Sequence, residues 1–281
     1  LQLLYLNFTQ PRFNKDDVDN LTKMLLAQLA NAKSNPDFLM QEKVADVTYG
    51  HNPRRQMIST EIVNKFDFEQ LPGIYAKLYP GANGFVFTFV GNIDPETLKP
   101  LVEKYIGSIP AARKPINYVD DKAYPVKGEV TEEFTAPMQQ PKVSVNYHFS
   151  GEMPYTLKNK MALTFLTQAL NSRYLVSIRE EKGGTYYVGV HDEVSARPRG
   201  YCQLVVSFDT DPKLCEMLLG EVQKGIERLA AEAPSEQEVN EAMLYFRKVN
   251  AESRSKNLKS TSYWLNKMRA EYFDGVDLDK D

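Results

Sequence analysis

The tightest constraint on this fold is an alternation that begins at Lys142. Val143, Val145, Tyr147 and Phe149 are apolar, and Lys142, Ser144, Asn146 and His148 between them are polar. Successive side chains of a strand point to opposite faces, so a period of two specifies a strand with one face buried and one wet. It is one of two strands that open the second half of the chain. A long helical stretch follows from Leu157 to about Glu181, with a break near Asn171, then strands at about 185–192 and 201–208. Asp211-Pro212 caps a further helix, and two more occupy about 235–256 and 260–273. This order gives an α+β fold in which antiparallel sheets are covered by helices.

The front of the chain reads as mostly helical. Val18, Leu21, Leu25 and Leu29 recur at helical spacing behind Phe13-Asn14-Lys15-Asp16. Asn35-Pro36 stops that helix and starts a shorter one through Val44 and Val47. Tyr49-Gly50-His51-Asn52-Pro53 is a loop by its turn residues, and a helix lies near 68–78. Phe85–Val90, apolar on both sides, reads as a central strand. Asp94-Pro95 then caps a helix to about Ile106, because an Asp side chain accepts from free amides and Pro suits the first helical position.

Prolines at 110, 115 and 125 and Gly128 among charged residues mark a linker over 111–125. Two domains are therefore expected, 1–110 and 126–281. The segments 85–106 and 202–226 share the order strand, Asp-Pro, amphipathic helix, which an internal duplication or the chance recurrence of a common cap explains equally well.

With 42% apolar and 25% charged residues among 281, the chain can bury a real core. A net charge of −3 with both signs well mixed excludes a nucleic-acid field, and no apolar run is long enough to span a bilayer. The apolar start at Leu1, without Met, basic stretch or cap, is expected of a piece of something longer. Cys202 and Cys215 fall at opposite ends of one strand, beyond the ~7 Å Cα reach of a disulfide, and are expected as free thiols.

Chemistry is sparse. The three histidines, His51, His148 and His191, have no ligand spacing between them, so no complete zinc site is expected here. His148 reads as a solvated strand residue, His51 as a loop hydrogen-bonder and His191 as a strand-end residue. There is no Gly-x-Ser-x-Gly elbow and no phosphate-binding Gly loop. One segment stands out: the helix end Leu170-Asn171-Ser172-Arg173-Tyr174, the turn Arg179-Glu180-Glu181-Lys182-Gly183-Gly184, then Thr185-Tyr186-Tyr187-Val188. Arg179 and Tyr186 lie near opposite ends of one tight connection. Arg179 offers a planar fork of donors for carbonyls or carboxylates, but from the residues alone it reads first as a surface ion-pair partner. Tyr186 offers one hydroxyl donor, yet shares parity with Val188 and Val190 and equally suits the core.

The stretch from Leu170 to Val190 resembles the carboxy-terminal signature of the pitrilysin/insulinase family of zinc metallopeptidases, in which a leucine-rich helix leads to Ile-Arg-Glu, a Gly turn and a Tyr seven residues after the Arg. Thr9-Gln10-Pro11-Arg12-Phe13, Tyr49–Arg54, Phe87–Asp94 and Tyr263-Trp264-Leu265 extend the likeness over nearly the whole chain, towards the long bacterial members. The resemblance implies two homologous processing-peptidase-like domains, the first incomplete, forming the zinc-free, carboxy-terminal half of a hinged clamshell that hydrolyses peptides in a closed chamber. It implies zinc in the full-length enzyme and none bound by this segment. The partners it implies are a peptide substrate and the amino-terminal zinc-binding half of the same polypeptide, with an envelope or periplasmic location as the family-level expectation. Arg179 and Tyr186 match the family's Arg and Tyr, while Gly183 and Gly184 are expected to let the turn approach the peptide. The sequence departs from the catalytic domain at the helix over 14–33, which contains no Glu where that domain carries a zinc ligand. A scaffold or chaperone-like paralogue is the competing expectation, against which an intact Arg/Tyr pair counts.

Overall fold

In a computed structural model of the chain, residues 1–111, 119–185, 187–197, 199–275 and 277 are described. They form two compact units, Leu1–Pro137 and Met138–Asp281.

The first unit is helical where the sequence carries caps. Asn14 accepts from the Asp16 amide to open α2 (Lys15–Ala32), after a short α1 (Gln2–Thr9). Asn35 does the same for α3 (Pro36–Thr48), with Pro36 in the first turn, where its missing N–H costs nothing. Ser59 caps α4 (Thr60–Asn64), α5 spans Leu71–Leu78, and Asp94 accepts from the Glu96 and Thr97 amides at the start of α6 (Pro95–Tyr105). Phe85–Val90 is not a strand, against expectation: no described residue of this unit pairs with it. An apolar run becomes a strand only beside a partner that satisfies its backbone. Here its rings pack instead, Phe85 lying 5.1 Å from Phe8 and 5.8 Å from Tyr79 between ring centroids.

The second unit holds the sheet. Strands β1 (Val143–Glu152), β2 (Val188–Ser195) and β3 (Tyr201–Thr210) lie in the order β1-β3-β2, antiparallel throughout, with Val145 and Val188 both opposite Phe208. Among the described residues β1 is the sole strand between 126 and 152, where two were expected. The alternation read from the sequence sets the buried face. Val145, Tyr147 and Phe149 join Leu204, Val206, Phe208 and Val190 in one core. Helices α7 (Leu157–Tyr174) and α8 (Cys215–Ala231) cover it with Leu170, Tyr174, Leu218 and Val222. Helices α9 (Glu236–Asn257) and α10 (Thr261–Asp274) follow.

Asp211 does not cap α8 as expected. It accepts from the Lys213 amide at 2.8 Å, closing a turn, and α8 begins after Leu214 with no side-chain cap. Asp94 and Asp211 therefore hold different local structures. Cys202, in β3, and Cys215, at the start of α8, are not joined in a disulfide.

Two long-range contacts fasten the helices. Asn171 of α7 donates to the Val190 carbonyl at 2.9 Å and accepts from the Val190 amide at 2.8 Å, so its carboxamide extends the ladder at the edge of the sheet. Arg173 forms a two-point ion pair with Glu238 at 2.6 and 3.0 Å, joining α7 to the first turn of α9, where Glu238 also completes a capping box with Ser235. The guanidinium holds the Glu238 carboxyl down at about 2. His148 departs from its reading as a solvated residue. Both ring nitrogens are buried without a partner, and burial pushes its pKa down.

Two separate acid steps in stability follow. A His whose folded pKa lies below its unfolded value of 6.5 binds protons more readily when unfolded. Its effect is absent above pH 6.5, and stability falls as pH drops below that point; His148→Asn should flatten this step in urea titrations. Glu238 contributes stability above pH 4.5, lost as pH falls towards about 2, and Glu238→Gln should shrink that second step while leaving the first unchanged.

Candidate functional site

The site is the connection from α7 to β2. The last turns of α7 carry Leu170 and Tyr174 into the core, the latter fully buried with its hydroxyl donating to the Val222 carbonyl at 2.7 Å. Burial raises that phenol's pKa, so Tyr174 is a neutral structural donor. The helix then widens into a π turn, Leu175–Glu180, in which the Glu181 amide reaches back five residues to the Val176 carbonyl at 2.9 Å. Such turns are uncommon and concentrate at functional sites. Ile178 on the inner side is completely buried, and Arg179 beside it is exposed. No hydrogen bond or ion pair ties the Arg179 side chain among the described residues, so the surface pair its position allows does not form.

The double glycine divides its work. The Gly183 amide donates to the Arg179 carbonyl at 3.1 Å and Gly184 to the Ile178 carbonyl at 3.2 Å, closing the turn. Gly183 has φ +57 with open space where a Cβ would stand, so what it supplies is left-handed backbone. Gly184 is buried, and a Cβ there would stand 2.7 Å from Leu218 Cδ1. Its carbonyl accepts from the buried Thr210 hydroxyl at 2.6 Å. Gly184 is thus the point where the turn is pressed between α8 and β3. Tyr186 lies outside the described residues.

Beyond the turn, the Thr185 hydroxyl donates to the Tyr187 carbonyl at 2.7 Å and accepts from the Tyr187 amide at 3.1 Å. Strand β2 consequently starts at Val188, not near 185. Asn171, Thr185 and the Arg173–Glu238 pair are the residues that reading the sequence missed. Only the Ser235–Glu238 capping box left a local sign of any of them. A groove of about 880 Å³ runs between the π turn, α8 and the start of α9, lined by Arg173, Val176, Glu221, Lys224 and Arg228; Arg179, Gly183 and Gly184 do not line it.

His51 pairs with Asp46 at 2.6 Å, and His191 meets the Tyr187 hydroxyl at 3.3 Å. Among the described residues no three His, Cys, Asp or Glu side chains converge on a point that could hold a metal, so the donor set does not fit zinc. None of the described helices is long and apolar enough to cross a membrane.

Helices over one face of a small antiparallel sheet, with a tight Arg-bearing turn entering its edge strand, define the class. Residues 65–244 match the family described as the peptidase M16 inactive domain, and the chain belongs to that family, as the pitrilysin/insulinase resemblance implied. It is 23% identical over 288 residues to a zinc protease PQQL-like protein of Arabidopsis thaliana, covering 97% of this chain and 30% of that protein. The periplasmic protease PqqL from Escherichia coli has the same fold, with TM-score 0.72 and 19% identity over 92% of this chain and 28% of that one. The ferredoxin protease FusC, solved in complex with Arabidopsis ferredoxin, superimposes with TM-score 0.71 and 18% identity over 97% of this chain and 30% of that one. The chain thus spans under a third of the length of each.

The two glycines should respond differently to substitution. Gly184→Ala overpacks Leu218 and should cost about 1–3 kcal/mol in urea unfolding. Gly183→Asn, in open space and with a side chain that tolerates left-handed backbone, should cost under about 1 kcal/mol. Equal tolerance at both positions would show that α8 yields to the turn.

Proposed function

We propose that this chain is the zinc-free, substrate-facing part of a zinc metalloendopeptidase that hydrolyses peptides in a closed chamber, with 1–110 and 126–281 as successive metallopeptidase-like domains. The observation that carries this is the spacing of Arg179 and Tyr186 within the family's signature, in a turn whose Arg is exposed and uncommitted. The zinc and its ligands belong to the other half of the polypeptide, since the described residues here offer no set that fits it.

Within this chain, the Tyr186 hydroxyl donates a hydrogen bond to the scissile carbonyl oxygen as it gains negative charge. A donor held ready for that charge acts mainly in the transition state. Arg179 holds the substrate backbone or polarises the same carbonyl through its planar fork. Gly183, without a side chain over open space, lets the peptide come close, and Gly184 keeps the turn at a fixed height above the sheet.

In the full-length enzyme, Tyr186→Phe should lower kcat by about 10²–10³-fold with a smaller change in KM. Arg179→Lys should also be costly, because an ammonium cannot reproduce the fork. Normal turnover in Tyr186→Phe would remove the assignment and favour a core role for that ring. Separately, the purified 281-residue chain should bind no stoichiometric zinc and cleave no peptide. One tightly held zinc per chain by elemental analysis would contradict the division of labour.

A further inference from the structure

The face of the sheet turned away from α7 and α8 carries polar side chains. Val190 of β2 points into the core, and side chains alternate along a strand, so Gly189, His191 and Glu193 lie on the other face. Tyr187 joins them from just before the strand. A Cβ on Gly189 would fall 2.1 Å from its phenol oxygen and 2.6 Å from Cζ, so the outer part of the ring passes over the glycine. The hydroxyl ends at His191 Nε2, 3.3 Å away.

This placement does little for the fold. Tyr187 is 58% exposed, and His191 and Glu193 are exposed with it. A glycine inside a strand weakens it, and often marks a place where something approaches closely. Charge adds a second, independent sign. Glu152 and Asp209, the other carboxylates on this face of the strands, are paired with Arg199 at 2.6 Å and Lys142 at 2.8 Å. Glu193 has no hydrogen bond or ion pair among the described residues, and no Lys or Arg occurs between 187 and 195 to neutralise it. Two residues of strand set it roughly 7 Å beyond His191, where the Tyr187 ring ends. Open aromatic surface, an imidazole and an unspent carboxylate therefore stand in one row.

We propose that this row binds a basic side chain, Lys or Arg, of an extended peptide. The Tyr187 ring takes the aliphatic stem and the cation, and the Glu193 carboxylate pairs with the charge. His191 holds the end of the ring, and Gly189 leaves the course on which the ring lies. An acidic side chain would meet Glu193 as a like charge, and an apolar one would cover that carboxylate without satisfying it. The inference rests on the reading that this chain meets peptide substrates, and adds a preference for positive charge at one position. It uses neither Arg179 nor Tyr186.

NMR titration of the 281-residue chain with the peptide acetyl-Gly-Ala-Lys-Ala-Gly-amide tests it without calling on catalysis. Resonances of Tyr187, His191 and Glu193 should shift. The lysine peptide should bind about three- to thirtyfold tighter than one with norleucine in its place, which keeps the stem and lacks the charge. Tyr187→Leu and Glu193→Gln should each cut that ratio by about twofold or more, and together bring it to about one. Gly189→Ala keeps Tyr187 but drives its ring off this course, and should act like Tyr187→Leu. The added methyl meets only the tip of an exposed side chain, so the urea midpoint should hold. Equal binding of the two peptides would overturn the site, as would a preference that survives Tyr187→Leu or Glu193→Gln, or tighter binding of a glutamate version. Any of those results leaves the peptidase reading standing, because Tyr186→Phe tests that by turnover. Full activity in Tyr186→Phe would in turn leave this binding result untouched.

Discussion

Everything at the candidate site depends on the absence of a side chain at position 184. With no Cβ to meet Leu218, the turn descends until the Gly184 carbonyl reaches the Thr210 hydroxyl, pinned between α8 and β3. The π turn is the geometric companion of that descent. An extra residue in the turn lets Ile178 stay in the core while Gly184 is reached only six residues later. Ile178 points inward, so Arg179 beside it is turned out. The outward course of the Arg179 side chain is thus a packing consequence of the residue before it.

The polar groups around this turn fall into two kinds. Asn171 is spent on the Val190 backbone, Arg173 on Glu238, Thr185 on Tyr187 and Thr210 on Gly184. Each satisfies backbone or charge that the irregular connection would leave open, and an unmet buried polar group costs about 1–3 kcal/mol. Arg179 differs from these four, an exposed donor in the turn that no hydrogen bond or ion pair engages among the described residues.

Much of both units was legible because the signals are local. The alternation from Val143 to Phe149 announced β1 and its buried face, and Asn14, Asn35 and Asp94 announced the helix starts they cap. Failures came where the deciding partner is distant or the rule is weak. Phe85–Val90 has the composition of a strand but no ladder partner among the described residues of its unit. Asp211-Pro212 has the form of a helix cap, but its carboxylate closes a turn instead. The start of β2 was misplaced because a Thr side chain, chemically ordinary, removes a rung of the ladder. The Arg173–Glu238 pair spans 65 positions and leaves no periodic trace. At the site itself, Arg179, Gly183 and the turn were visible from the glycines and the spacing, while the packing role of Gly184 depends on α8, which no local pattern reveals.

A group that stabilises a developing oxyanion has to be oriented in advance and free of a standing partner, or it must break one bond to make another. Tyr174 donates to the Val222 carbonyl, Tyr147 to Gln223 at 3.0 Å, and the Tyr187 hydroxyl meets His191. The first is also buried out of reach of any substrate. Three phenols around the turn and its sheet are therefore engaged by the fold, and recruiting any of them would cost the contact it already makes.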